Sequence, residues 1–124
     1  MKSIIKESII KKAIEEAKNS NFYPYHGCVI FKGSKIISIG NNQIRYCNKL
    51  NIKYKKWINS LHAEQKAIIF SKKDVKRCSL LVIRINREGE LKYSKPCVVC
   101  RQFINDMGIS KVFYSNKNGE IVQL

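Results

Sequence analysis

No stretch of this 124-residue chain approaches the ~18 to 20 uninterrupted apolar residues that a membrane span needs. The opening Met1-Lys2-Ser3-Ile4-Ile5-Lys6-Glu7 also lacks the long apolar core of a secretory signal, so the expectation is a soluble, intracellular, cytoplasmic protein. An even set of cysteines is missing too. The five present, Cys28, Cys47, Cys78, Cys97 and Cys100, suit reduced thiols or metal ligands better than a disulfide framework. Length excludes a two-domain enzyme, and there is no internal repeat or low-complexity segment. A single domain over residues 1–124, 44% hydrophobic, has enough apolar material for one core and one site cut into it. Acidic residues are scarce, nine against twenty-four lysines and arginines, for a formal net charge of +15. Such a balance suggests a polyanionic partner. The abundance of lysine, isoleucine and asparagine is also what an AT-rich genome produces, so only charge gathered near a site counts.

Hydrophobic spacing supplies the elements. Ile5, Ile9, Ala13 and Ala17 stand four apart, with charged residues on the other faces, which predicts an amphipathic helix ending at Asn19-Ser20-Asn21. Cys28 to Phe31, a Gly33-Ser34 turn and Ile36 to Ile39 read as a hairpin, with Gly40-Asn41-Asn42 stopping its second strand. Residues 43–60 have no clear period and read as a long loop. They carry Arg45, Lys49, Lys53, Lys55 and Lys56, interleaved with Tyr46, Tyr54 and Trp57. Leu61 to Ser71 reads as a helix, Leu80 to Ile85 as a buried central strand, and Cys97 to Met107 as a helix led in by Pro96 and closed by Gly108. Lys111 to Tyr114 and Ile121 to Leu124 are two short strands around a tight turn, which favours an antiparallel pair. The expected fold class is α/β, a three-layer α/β/α sandwich on a five-stranded mixed sheet.

Two fragments carry chemistry: His62-Ala63-Glu64 and Pro96-Cys97-Val98-Val99-Cys100, each opening a predicted helix. Cysteines three apart share a helix face, so Cys97 and Cys100 can reach one ion while His62 supplies a third corner. Three protein ligands and a water are the pattern of catalytic zinc. Helix N-termini favour the two thiolates. With two thiolates and a neutral imidazole the zinc site carries no net charge, so its water is acidified only in part and a neighbouring base is needed. Glu64 is that base, outside the coordination shell and within reach of the water.

These residues resemble the zinc-dependent cytidine/deoxycytidylate deaminase superfamily through its H-x-E…P-C-x-x-C signature. The resemblance covers most of the chain. Gly27-Cys28-Val29-Ile30 looks like the family's first strand, and Asn42 aligns with an asparagine that holds substrate. His62 as first ligand is similar to deoxycytidylate and tRNA adenosine deaminases, whereas Cys100-Arg101-Gln102 is similar to free cytidine deaminases. The resemblance implies one Zn2+ per chain, held by His62, Cys97 and Cys100. It implies hydrolytic deamination of a cytosine ring, with Glu64 passing a proton from water to N3 and then one to the amino group, which leaves as ammonia. Asn42 and the Ala63 backbone N–H would recognise the base. The partners implied are a small-molecule nucleoside or nucleotide and a second copy of the chain, as dimer or tetramer, with no membrane.

Other readings stand beside this one. A structural zinc knuckle would need a fourth ligand, for which Cys28, Cys47 and Cys78 are the candidates. Cys28 reads as buried packing, and Cys47 and Cys78 as free thiols. His26 reads as an ordinary residue before a strand or as a substrate contact. The basic loop reads as a solvated face, a clamp for a nucleotide phosphate, or a platform for single-stranded nucleic acid. Accordingly, a polynucleotide deaminase and a catalytically silent zinc module are the alternative functions.

Overall fold

The structure, a computed structural model, describes residues 5–21, 23–43 and 62–124. The basic segment proposed as a loop therefore lies outside the described residues apart from Gln43, and so does Cys47. The elements are α1 (Glu7–Lys18), β1 (Tyr25–Lys32), β2 (Lys35–Asn41), α2 (Ala63–Ile69), β3 (Ser79–Ile85), β4 (Leu91–Lys92), α3 (Val98–Asp106), β5 (Lys111–Ser115) and β6 (Ile121–Gln123). The sheet runs β2-β1-β3-β5-β6. Only β3 and β5 are parallel, and β5 and β6 form the antiparallel pair that their short turn requires.

The sheet has six strands rather than the expected five. The addition is β4, only two residues long. β3 pairs with β5 from Ser79 to Val82 and then takes β4 as its partner, with Arg84 opposite Lys92 and Ile85 opposite Leu91. So short a strand has no periodicity to announce it.

Helices cover both faces, which makes the three layers. Strand alternation sends Val29, Leu81, Ile83 and Ile85 to one side, against Ile9, Ala13 and Ala17 of α1. Cys28, Ile30, Leu80 and Val82 face the other side, against Ala63 and Ala67 of α2 and Val99, Cys100 and Phe103 of α3. Both helix seats depend on a strand glycine. A Cβ at Gly27 would stand 2.0 Å from the Ala13 carbonyl oxygen, and one at Gly40 would stand 2.5 Å from the Ala63 carbonyl oxygen and 2.6 Å from the Ala67 nitrogen. Gly40 thus lies inside β2, which ends at Asn41 within the Gly40-Asn41-Asn42 segment expected to stop it. It lets a helix backbone lie almost on the sheet. Ser38 fastens the same seat, its hydroxyl donating to the Ala67 carbonyl at 2.6 Å.

Among the described residues, no helix is long and apolar enough to cross a membrane.

Candidate active site

The two motif helices start at the same end of the sheet. His62 is the residue before α2, its backbone N–H held by the Gln65 side-chain oxygen at 2.8 Å, and Cys97 is the residue before α3. The N-termini of α2 and α3 thus bring together groups 35 and 38 positions apart in sequence. His62 Nδ1 lies 3.2 Å from Cys100 Sγ and 3.7 Å from Cys97 Sγ. All three donor atoms fall within 4.8 Å of one another. Tetrahedral zinc with its usual bond lengths separates nitrogen from sulfur by about 3.6 Å and sulfur from sulfur by about 3.8 Å. The donor set and its spacing fit that ion.

Within the described residues the cluster has three members, with Cys28, Cys78 and Glu64 outside it. Both of those cysteines are buried free thiols, Cys28 with no exposed surface. The two ligand sulfurs differ. Cys97 is drawn down to about 3, first by the hydrogen bond from the Cys100 thiol and then by His62, while Cys100, fully buried, is pushed up. One proton shared between the sulfurs, with Cys97 as the thiolate, accounts for both directions.

Glu64 sits on the first turn of α2 and is only 4% exposed. Burial lifts its carboxyl above the usual carboxylate range, and the charge of His62 opposes that rise. It lines a cavity of about 220 Å³ together with His62, Cys97, Pro24, His26, Asn42, Ser94 and Lys95.

Asn42 is on the wall of this cavity, buried, and its amide organises the segment beside it. The side-chain oxygen accepts from the His26 backbone N–H at 2.8 Å and from the Ser20 hydroxyl at 2.6 Å, and Nδ2 donates to the Pro24 carbonyl at 2.7 Å. Ala63, fully buried, is the first residue of α2, where backbone N–H groups have no acceptor within the helix.

Four cavity residues carry no motif signal. Pro24 and His26 arrive on the start of β1, and burial lowers the His26 imidazole to about 4, leaving the ring neutral near pH 7. Ser94 and Lys95 arrive on the segment that leads to Cys97, and a buried hydroxyl pair fixes that segment. The Ser94 hydroxyl donates to the Val82 carbonyl at 2.9 Å and accepts from the Ser115 backbone N–H at 2.9 Å. In turn the Ser115 hydroxyl donates to the Lys92 carbonyl and accepts from the Arg84 backbone N–H. These bonds fill the point where β3 leaves β5 for β4, at the carboxyl end of the parallel pair, where open α/β sheets place their ligands.

The family model described as the cytidine and deoxycytidylate deaminase zinc-binding region matches residues 3–116. The chain belongs to this family. In it, His62, Cys97 and Cys100 are the group available for the zinc that the family's name records. A relative from Aliivibrio fischeri, named only as an uncharacterized deaminase in the luxG 3′ region, is 34% identical over 94 residues. The match takes in 70% of this chain, and the chain spans 55% of that relative's length. Among solved structures, the dCMP deaminase of cyanophage S-TIM5 superposes with a TM-score of 0.66 at 25% identity, over 94% of this chain and 86% of the other. A cytidine deaminase from Burkholderia pseudomallei gives 0.67 at 16% identity, over 98% and 92%, a likeness of fold alone.

Proposed function

We propose that this deaminase-family chain hydrolytically deaminates cytosine carried on a nucleoside or nucleotide, namely cytidine, deoxycytidine or their monophosphates, to uracil and ammonia. The observation that carries the reading is a His-Cys-Cys cluster of tetrahedral spacing with a buried carboxylate beside it and outside it. Held by His62, Cys97 and Cys100, zinc supplies the Lewis acidity that makes water a nucleophile near neutral pH.

The remaining steps belong to side chains. Glu64 accepts one proton of the attacking water and delivers it to ring N3. It then takes the second proton from the oxygen now bonded to C4 and passes it to the amino group, which leaves as ammonia as the C4–N bond breaks and the C4=O bond forms. Burial raises this carboxyl above the usual carboxylate range, which favours both halves of that task, accepting a proton and then returning it. Asn42 and the Ala63 N–H take the role of base recognition. Neutral His26, with its Nδ1 3.2 Å from the Pro24 carbonyl, keeps Nε2 as an acceptor on the cavity wall.

Ammonia release by the zinc-loaded chain from cytidine, deoxycytidine and their 5′-monophosphates tests the reaction, beside a short single-stranded oligonucleotide and a tRNA. Glu64→Gln should lower kcat by about 10²- to 10⁴-fold while zinc stays stoichiometric. Loss of zinc in that variant, or unchanged turnover, would contradict the role given to Glu64.

A further inference from the structure

Positive charge stands at and beside the cavity without an ion-pair partner of its own among the described residues. Lys95 lines the cavity and is exposed, two residues before Cys97. Arg84 is the ladder partner of the cavity residue His26 on β1 and of Lys92 on β4. Directly opposed residues in antiparallel strands share a face, so His26, Arg84 and Lys92 stand in one row. The Arg84 Nε is buried without a hydrogen-bond partner.

Glu64 lines the same cavity, but no carboxylate is ion-paired with Lys95 or Arg84. All nine acidic residues lie among the described residues, and residues 44–61 contain none. The ion pairs seen among the described residues, Lys11–Glu7 and Lys12–Glu15, are both on α1. A partly buried guanidinium facing a like charge and lacking a counter-ion is costly, and an anionic ligand removes that cost. Exposed lysine is common in this chain. A partly buried, uncompensated arginine next to the cavity wall is not explained by composition.

We propose that Lys95 and Arg84 form a subsite for a phosphate on the substrate, so that the site takes a cytosine 5′-mononucleotide in preference to the nucleoside. This rests on the cytosine-deaminase reading given above. An arginine fork and a lysine point charge together match the oxygens of a terminal phosphate monoester. A polynucleotide, with one charge per linkage, calls instead for a stripe of cations along its path.

The test compares kcat/KM of the zinc-loaded full chain for CMP and dCMP with that for cytidine and deoxycytidine, with a short single-stranded oligonucleotide alongside. The monophosphates should be favoured at least about tenfold at low salt, and the preference should shrink as ionic strength rises. Lys95→Gln should cut the preference several-fold. Lys32→Gln, at the far end of β1, should leave it unchanged. Calorimetry with dUMP and deoxyuridine reads the subsite without turnover, and dUMP should bind at least about tenfold tighter. Equal handling of nucleoside and monophosphate, equal affinities for dUMP and deoxyuridine, or a preference indifferent to Lys95→Gln would overturn the phosphate subsite alone. An oligonucleotide turned over better than either monophosphate would overturn the mononucleotide assignment. Silence on every cytosine substrate would overturn the underlying reaction.

Discussion

On one face of the sheet α1 rests Ala13 and Ala17 on Gly27, and on the other α2 rests Ala63 and Ala67 on Gly40. Both seats use small helix residues over a bare strand position, and both bury an apolar stripe against alternating strand residues. Their consequences differ. The described part of α1 brings no reactive group to the cavity, whereas α2 carries His62 at its start and Glu64 on its first turn, beside α3 with its two sulfurs. Close packing therefore serves stability alone on the first face, and on the second it also fixes where the donor atoms stand.

The contrast breaks most sharply at the sulfurs. Cys100→Ala should abolish stoichiometric zinc and turnover and lower the Tm, because the ligand is also a fully buried core residue. Cys97→Ala, at an exposed helix start, should lose zinc with a smaller loss of packing. Zinc analysis and thermal denaturation check both. Full zinc occupancy in either variant would remove that residue from the ligand set.

The glycine seats come next. Gly40→Ala and Gly27→Ala should each destabilise by about 1–3 kcal/mol or more, since the groups in the way are helix backbone rather than a yielding side chain. Gly40→Ala should also weaken zinc binding and lower kcat per folded molecule. Gly27→Ala should leave both near wild type. Equal effects on zinc affinity would mean that the two faces are not divided as described.

A smaller effect is expected at the hydroxyl pair. Ser115→Ala removes an acceptor from the Arg84 N–H and a donor from the Lys92 carbonyl, at about 1–3 kcal/mol for groups left buried and unpaired. Urea denaturation measures that cost. Zinc competition with a chelator should show weaker binding, because the segment leading to Cys97 is held there.

Much of both faces is legible in the sequence, and for a local reason. Four-residue spacing announces α1, and His62-Ala63-Glu64 and Pro96-Cys97-Val98-Val99-Cys100 declare both their chemistry and their helix starts within a few residues. The Gly40-Asn41-Asn42 segment does mark the end of β2, but the helix seat at Gly40 is not legible, because a glycine that admits a helix backbone has the same letter as one that ends a strand. β4 and the Ser94–Ser115 pair are hidden because they arise only from long-range pairing, the two serines lying 21 positions apart. Lys95 and Arg84 disappear into a surplus of basic residues until the sheet register sets Arg84 between His26 and Lys92.

A pH-dependent effect is expected at His26. Its imidazole is held at about 4, against an ordinary value near 6.5, so between those pH values the unfolded chain takes up a proton that the folded chain refuses. Its contribution to stability is present above about pH 6.5 and is lost as pH falls toward 4. In denaturation at pH 7 and pH 4.5, His26→Asn should lose less stability on acidification than the wild type. An identical loss in both proteins would mean that His26 is not held neutral by burial.

The central claim is an imidazole and two sulfurs leaving one position for solvent, and zinc-edge X-ray absorption of the loaded protein tests it most directly. The account predicts one nitrogen and two sulfurs with a single light oxygen-type neighbour as fourth ligand, unchanged in number in Glu64→Gln. A third sulfur, a second imidazole, or a first shell altered by Glu64→Gln would contradict it.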